Sequence, residues 1–329
     1  MFKPLNWGFL GSARINVKTI VPISHSSDHR LRAIGSRDIA KATAYAAEWG
    51  FEKAYGSYED LLEDPEVDVI YNSLPNHLHT EWTLKAIRHG KHVLCEKPIC
   101  LKSSDVDLIK HESEDRGVCV TEGFMYRHHP RIRKIKNMIL EGDLGQVLRL
   151  KVSHHFMLQG DTNIRLDPAL GGGALADLGC YAVNIMRFLT GHEPIRVSGQ
   201  CRKSLRGADT FFCGQLHFPN DILGDFDCGF HSPRTASMEI IGTKAILRVP
   251  EPFRVLHPHP GDEENLMFLQ RESGIEEIRT PHPESPHLTQ IQDLARAIRD
   301  KGKPLVSLED SRGNSATLEA LARSAGIES

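Results

Sequence analysis

His89 to Ile99 reads HGKHVLCEKPI. At its centre Val93-Leu94-Cys95 is a short apolar run that ends abruptly in an acid, a lysine and a proline. A strand buried between two helical layers reads as such a run, and in an open parallel sheet ligands sit beyond the carboxyl ends of the strands. Lysine is almost never fully buried without a partner, so a Glu-Lys pair here is hard to justify as packing. Lys97 is therefore a candidate functional residue, the alternative being a lysine on a surface loop. Pro98 confines the Lys97 backbone to extended conformations and permits a cis bond.

Outward from this stretch, apolar runs alternate with helix-period segments. Strands are expected at Leu5–Leu10, Leu31–Gly35, Val67–Asn72, His92–Cys95 and Val118–Thr121. Between them lie DIAKATAYAAEWG, HLHTEWTLKAIRHG and SSDVDLIKHESEDRG, each with apolar residues at helical spacing and each closed by glycine. This order predicts right-handed crossovers and an α/β fold, a doubly wound parallel sheet over residues 1–123. After Gly123 the pattern changes. A helix (PRIRKIKNMILEGDLG) leads to QVLRLKVSHHF, a second helix starts near Ala174, and strand-like segments such as DTFFCGQLHF, DILGDFDCGF and TASMEIIG run from Ile195 to Ile278. Helices over His287–Asp300 and Leu308–Ala325 finish the chain. Residues 124–329 are thus expected to form a second α/β domain with a large open, mostly antiparallel sheet.

Composition narrows the function. With 329 residues, 40 % hydrophobic and 25 % charged, the chain suits two packed domains. A net charge of −3 gives no support for nucleic acid or an anionic membrane as partner, and no run approaches the roughly 18 apolar residues of a membrane helix. Seven cysteines without a CxxC, no signal-like amino terminus and no Asn-x-Ser/Thr sequon fit a reduced, cytoplasmic protein.

The first strand opens onto Gly11-Ser12-Ala13-Arg14-Ile15-Asn16, in the frame of GxGxxG but with only its first glycine. Ala13 is small enough for a pyrophosphate to approach the backbone at a helix start, whereas Asn16 weakens the match. The second strand ends AIGSRD. Ser36 and Arg37 supply a hydroxyl and a guanidinium where a 2′-phosphate would lie, favouring NADP over NAD, and Asp38 serves either a ribose hydroxyl or the helix cap. The strand ending at Asn72 runs into Leu74-Pro75-Asn76, with His77 and His79 opening the next helix. These histidines lack a neighbouring carboxylate or cysteine to complete a metal site, so His79 is read as a cofactor contact or as plain helix-start polarity. In the second half, LDPALGGGALADLGCYAVNIMRFLTG delivers the chain through three glycines into a helix with Asp177 and Tyr181 four apart, on one face. A glycine-rich entry is what close approach to a ligand requires. His155, Asn163 and Arg165 are further substrate-side candidates, or structural residues. Gly191-His192-Glu193 suggests zinc chemistry only faintly, having no cysteine beside it, and no metal is expected.

Gly8-x-x-Gly11, Glu96-Lys97-Pro98, EGFMYRHHP and GGGALADLGCY occur in this order, and with them the whole chain resembles the glucose-fructose oxidoreductase and inositol dehydrogenase (Gfo/Idh/MocA) family. The resemblance implies a Rossmann domain followed by an α/β domain whose open sheet often forms a homodimer or homotetramer interface. It implies that Lys97 contacts both nicotinamide ribose and substrate, that Glu96 and Arg127 lie with the cofactor set, and that the helix after the glycines carries an Asp (Asp177) and, four residues on, the acid/base (Tyr181). Many inositol-dehydrogenase-like members have His where this chain has Tyr181, so it looks closer to the branch with dihydrodiol dehydrogenases, NADP-dependent xylose dehydrogenases and sugar ketoreductases. The expected activity is hydride transfer between NADP and a sugar, polyol or dihydrodiol carbon. From another class, some members of this fold resemble regulators that bind dinucleotide without turning it over, although Lys97, Asp177 and Tyr181 are all present here.

Overall fold

The computed structural model describes residues 3–160, 162–253, 266–281 and 285–327. The chain forms two compact units, Met1–Cys100 with Ser104–Met125 and His287–Arg312, and Leu101–Ser103 with Tyr126–Pro286 and Gly313–Ser329. The boundary expected after Gly123 falls two residues later. The carboxyl-terminal segment, expected wholly in the second domain, is shared instead.

In the first unit the elements run β1 (Leu5–Leu10), α1 (Val17–Ser24), β2 (His29–Gly35), α2 (Ile39–Trp49), β3 (Lys53–Tyr55), α3 (Tyr58–Glu63), β4 (Val69–Asn72), α4 (His79–Arg88), β5 (His92–Cys95), α5 (Ser103–Arg116) and β6 (Val120–Glu122). The six strands are parallel in the order β3-β2-β1-β4-β5-β6. This is the doubly wound dinucleotide-binding order, with its switch point between β1 and β4. The central strands are apolar on both faces because both are covered. Trp7, Phe9, Val69, Tyr71 and Leu94 pack into one cluster, and Leu10, Ile70, Val93 and Cys95 into the other. Strand β3 and helix α3 were not visible as a pattern. Three half-buried residues are too few for an alternation to show.

Helix α8 (Pro286–Arg299) explains the shared carboxyl terminus, because Ile291 and Leu294 are fully buried in the cluster with Trp7 and Phe9. On the same side His29 accepts a hydrogen bond from Trp7 Nε1 (3.2 Å). Burial, then the nearby Arg299 charge, lowers its pKa to about 4. A base held below its unfolded value of ~6.5 contributes stability that is complete above that pH and is lost as pH falls toward 4. Denaturant melts of the wild type should lose on the order of 2 kcal/mol across that window. His29→Asn should flatten the slope, and an unchanged slope would remove His29 from acid sensitivity.

The second unit contains α6 (Pro130–Leu140), β7 (Val147–His155), a π-helical turn (Leu175–Gly179) running into α7 (Cys180–Thr190), and strands β8 (Arg196–Lys203), β9 (Asp209–His217), β10 (Leu223–Gly229), β11 (Thr235–Gly242), β12 (Ile246–Pro250), β13 (Leu266–Arg271) and β14 (Gly274–Arg279). Helix α9 (Leu308–Ser324) ends the chain. The eight strands follow the order β14-β13-β12-β11-β7-β10-β9-β8, and only the β7–β10 pair is parallel. The mostly antiparallel sheet expected from the turn spacing is present. One face is apolar, with Leu150, Val152, Phe212, Phe226, Cys228 and Met238 buried. The other is polar, crossed by Lys151–Glu239, Arg248–Glu239 and Ser153–Asp227 pairs. Pro168–Thr190 passes for a membrane span by length and mean hydropathy (1.2), although Asp177 and Arg187 interrupt its apolar residues. Its window is 72 % buried within the protein, as Leu178, Val183, Ile185, Met186 and Leu189 form core.

Candidate functional site

In the first unit the loops leaving β1 and β4 flank the switch point. Gly11 has φ +81°, which only glycine adopts without strain, and its N–H donates to Gly35 O (2.9 Å). A Cβ there would also press on Leu74 at 3.1 Å. Ser12, Ala13, Arg14 and Ile15 follow, half-buried to exposed, ahead of α1. Asn16, which breaks the glycine frame, is fully buried and holds the loop instead. Its Nδ2 donates to Gly11 O (2.7 Å) and its Oδ1 accepts from Ser73 Oγ (2.6 Å). A side-chain latch thus stands where the frame has its third glycine. The turn fits a pyrophosphate.

At the end of β2, Ser36 is buried and Arg37 exposed, while Asp38 caps α2 by accepting from Ala40 N (2.9 Å) and Lys41 N (3.3 Å). Of its two open readings, the cap is the one these contacts describe. Beyond β4, Leu74 is buried and Pro75 and Asn76 are half-buried. His79 is buried with Nδ1 2.8 Å from Pro98 O and Nε2 2.7 Å from Leu74 O, and burial lowers its pKa. Its ring ties the β4 loop to the Lys97-Pro98 loop, a bracing position beside the two readings left open for it, cofactor contact and helix-start polarity. At the end of β5, Glu96 Oε1 accepts from the Tyr71 hydroxyl (2.6 Å), Lys97 is half-buried, and the Lys97–Pro98 bond is cis.

In the second unit Asp177 sits in the π turn and accepts from Arg165 Nε (2.6 Å). Such single π turns recur at functional sites. Tyr181 is 8 % exposed, its ring 5.4 Å from His154, 5.2 Å from Phe253 and 5.8 Å from Tyr126. Asn163 caps the short helical turn Ile164–Leu166, accepting from Arg165 N (3.1 Å). His155 Nε2 is hydrogen-bonded to the Asp227 carboxylate, and the ring lies 5.5 Å from Phe211. Strand alternation sends it to the face of β7 opposite His154, so His154 is the neighbour of Tyr181. Counting by twos from Leu150 and Val152 would have found it. Arg127, expected at the cofactor, is buried, stacked on Phe188 (3.8 Å) and donating to Asn184 (3.1 Å). The glycines of this turn make room for close protein contacts. A Cβ on Gly172 would stand 2.6 Å from Arg165 O, and one on Gly173 would strike the Asp209 carboxylate. Glu193 of the Gly-His-Glu stretch is bidentate to Arg187 (2.7 and 2.5 Å). Among the described residues no group of three or more His, Cys, Asp or Glu is gathered for a metal ion.

A parallel sheet of this order, with a glycine turn at its switch point and a charged lysine at the carboxyl edge, defines a dinucleotide-binding α/β protein joined to a sheet-based second unit. Residues 5–124 match the model of an oxidoreductase family with NAD-binding Rossmann fold, residues 132–248 match the GFO/IDH/MocA C-terminal domain, and the chain belongs to this oxidoreductase family. It is 34 % identical over 321 residues to a D-xylose 1-dehydrogenase (NADP(+)) of Haloferax volcanii, covering 97 % of each chain. It is 31 % identical over 237 residues to a trans-1,2-dihydrobenzene-1,2-diol dehydrogenase of Oryctolagus cuniculus, covering 71 % of each. The crystal structure of a 3-ketoreductase from Actinomadura kijaniata, in complex with NADP and TDP-benzene, superposes with a TM-score of 0.90 at 25 % identity over 98 % of each chain. The protein is an oxidoreductase whose cofactor is a nicotinamide dinucleotide.

Proposed function

We propose that the protein is an NADP-dependent oxidoreductase acting on the CH–OH or carbonyl carbon of a sugar or polyol, as an aldose 1-dehydrogenase or a keto-sugar reductase. The observation that carries this reading is Lys97, an ammonium held two residues beyond the carboxyl end of a strand in which Val93, Leu94 and Cys95 are fully buried. The xylose dehydrogenase and ketoreductase relatives support the substrate class, and the dihydrodiol dehydrogenase supplies the alternative.

In this reading the Gly11–Ile15 turn takes the pyrophosphate, Ser36 and Arg37 take the 2′-phosphate, and Leu74, Pro75 and Asn76 lie along the nicotinamide half. The bound nicotinamide supplies hydride acceptance or donation. Lys97 binds a ribose hydroxyl and the substrate oxygen, its charge favouring the deprotonated form. Tyr181 takes or returns the hydroxyl proton. Asp177, held by Arg165, accepts from a neighbouring substrate hydroxyl. The half-buried His154 ring and the Tyr126 and Phe253 rings fix the direction of the Tyr181 ring. Self-association as a homodimer or homotetramer would use the polar face of the eight-stranded sheet. Seven free thiols support a cytoplasmic setting.

The test is absorbance at the reduced-nicotinamide band with NADP and NAD across aldoses, polyols and dihydrodiols. NADP-linked turnover of an aldose is expected; turnover of a dihydrodiol alone would select the alternative, and tight NADPH binding without turnover in either direction would select a sensor. Arg37→Ala should raise KM for NADP at least tenfold and leave KM for NAD nearly unchanged, since it removes one charge-assisted phosphate contact. Equal effects on both cofactors would displace Arg37 from the 2′-phosphate.

A further inference from the structure

Helix α7 and the π turn before it begin without a local cap. The preceding residues are Gly171, Gly172, Gly173 and Ala174, and no side chain at the amino end accepts from the first turn. A helix start leaves four N–H groups without intrahelical partners, and a buried start needs acceptors from elsewhere. Here the acceptor comes from β9, 34 residues away. Asp209 Oδ2 accepts from Leu175 N (2.7 Å), and the Ala174 N–H also donates to this carboxylate. Gly173, at φ +124°, has no room for a Cβ against Asp209. From this anchor the contacts run on to the substrate side. Gly173 N donates to Arg165 O (2.9 Å), Asp177 N to Gly173 O (3.0 Å), and Arg165 Nε to Asp177 (2.6 Å).

We propose that Asp209 is a positioning residue for the reaction, a long-range cap that sets the π turn and so the direction of Asp177 and Tyr181. This rests on the acid/base reading above. Asp209 is 4 % exposed, and burial pushes its pKa up to about 6 despite the amides that oppose the shift. The charged and titratable groups around it are Lys203 and Cys201 on β8 and Cys228 on β10; the Lys203 ammonium favours the carboxylate. Protonation as pH falls through about 6 removes the charge that holds the two amides. Because the raised value means that the fold accepts the neutral group readily, Asp209→Asn should fold.

The experiment compares the kcat pH profile with hydrogen exchange in peptides spanning 171–178, for wild type, Asp209→Asn and Gly173→Ala. In the wild type kcat should fall below about pH 6, together with protection of Ala174 and Leu175, while α7 stays protected. In Asp209→Asn kcat should drop tenfold or more at neutral pH with KM for NADP unchanged, and the acid limb near 6 should vanish. Gly173→Ala, which pushes the carboxylate aside, should give the same exchange pattern. Unchanged kcat and profile in Asp209→Asn would overturn the proposal, as would lost kcat with unchanged exchange. If Tyr181→Phe keeps full turnover, the acid/base reading fails separately, and exchange in the wild type alone decides whether Asp209 sets the turn.

Discussion

Tyr181→Phe lowers kcat by about 10²- to 10⁴-fold, the range for loss of a positioned general acid/base, while KM for NADP stays within about twofold. The substitution removes one oxygen and keeps the ring. Its ring contacts with Tyr126, His154 and Phe253 survive, so thermal stability should move by no more than the ~1–3 kcal/mol of a buried hydroxyl's hydrogen bond. The expected split between kcat and stability makes the result informative. A Phe variant that melts early and loses turnover would point to a packing role for the hydroxyl. One that keeps turnover would hand the proton to another group, and the next to test would be His154, which alone among the three neighbouring rings titrates near neutral pH in its unperturbed form.

Much of the fold was legible because the physics behind it is local and periodic. Strands such as Leu5–Leu10 and His92–Cys95 are apolar runs because both sheet faces are covered, and the observed bounds coincide with the expected ones. Strand β3 was invisible at three residues, and α8 could not be assigned to a unit, since amphipathic spacing tells which face is buried and not against what. Candidates for the site could be named from the sequence where chemistry contradicts packing, as at Lys97, or where helical spacing pairs two polar groups, as at Asp177 and Tyr181. Between the neighbours His154 and His155 the sequence reading took the wrong one, although the strand alternation from Leu150 and Val152 distinguishes their faces. A motif scan could not show that Asn16 replaces a glycine by hydrogen bonding, or that Asp209 caps a helix from another strand. Such partners lie 57 residues apart in the Asn16–Ser73 pair and 34 in the Asp209–Leu175 pair, and only the folded chain brings them together.

Lys97→Ala should lower kcat/KM for the organic substrate by about 10²- to 10³-fold, as expected when one charged stabiliser of a developing oxyanion is removed. The loop should keep its shape, because its backbone is held by other groups. Val93, Leu94 and Cys95 are fully buried, Glu96 N donates to Asn72 O (2.9 Å), and His79 lies against Pro98 O. The loss therefore reports the ammonium and not the scaffold, and circular dichroism and melting should be near wild type. Lys97→Arg restores charge but spreads it over a planar fork that cannot occupy the same point, so it should recover only part of the loss. The sharper result comes from combining Lys97→Ala with Tyr181→Phe. If lysine charge and tyrosine proton serve one step on one hydroxyl, the second change has little left to remove, and the double variant should be about as slow as the slower single one. Losses that multiply would mean that the two residues act on separate steps, with Lys97 confined to holding the cofactor and the substrate oxygen left to Tyr181 and Asp177.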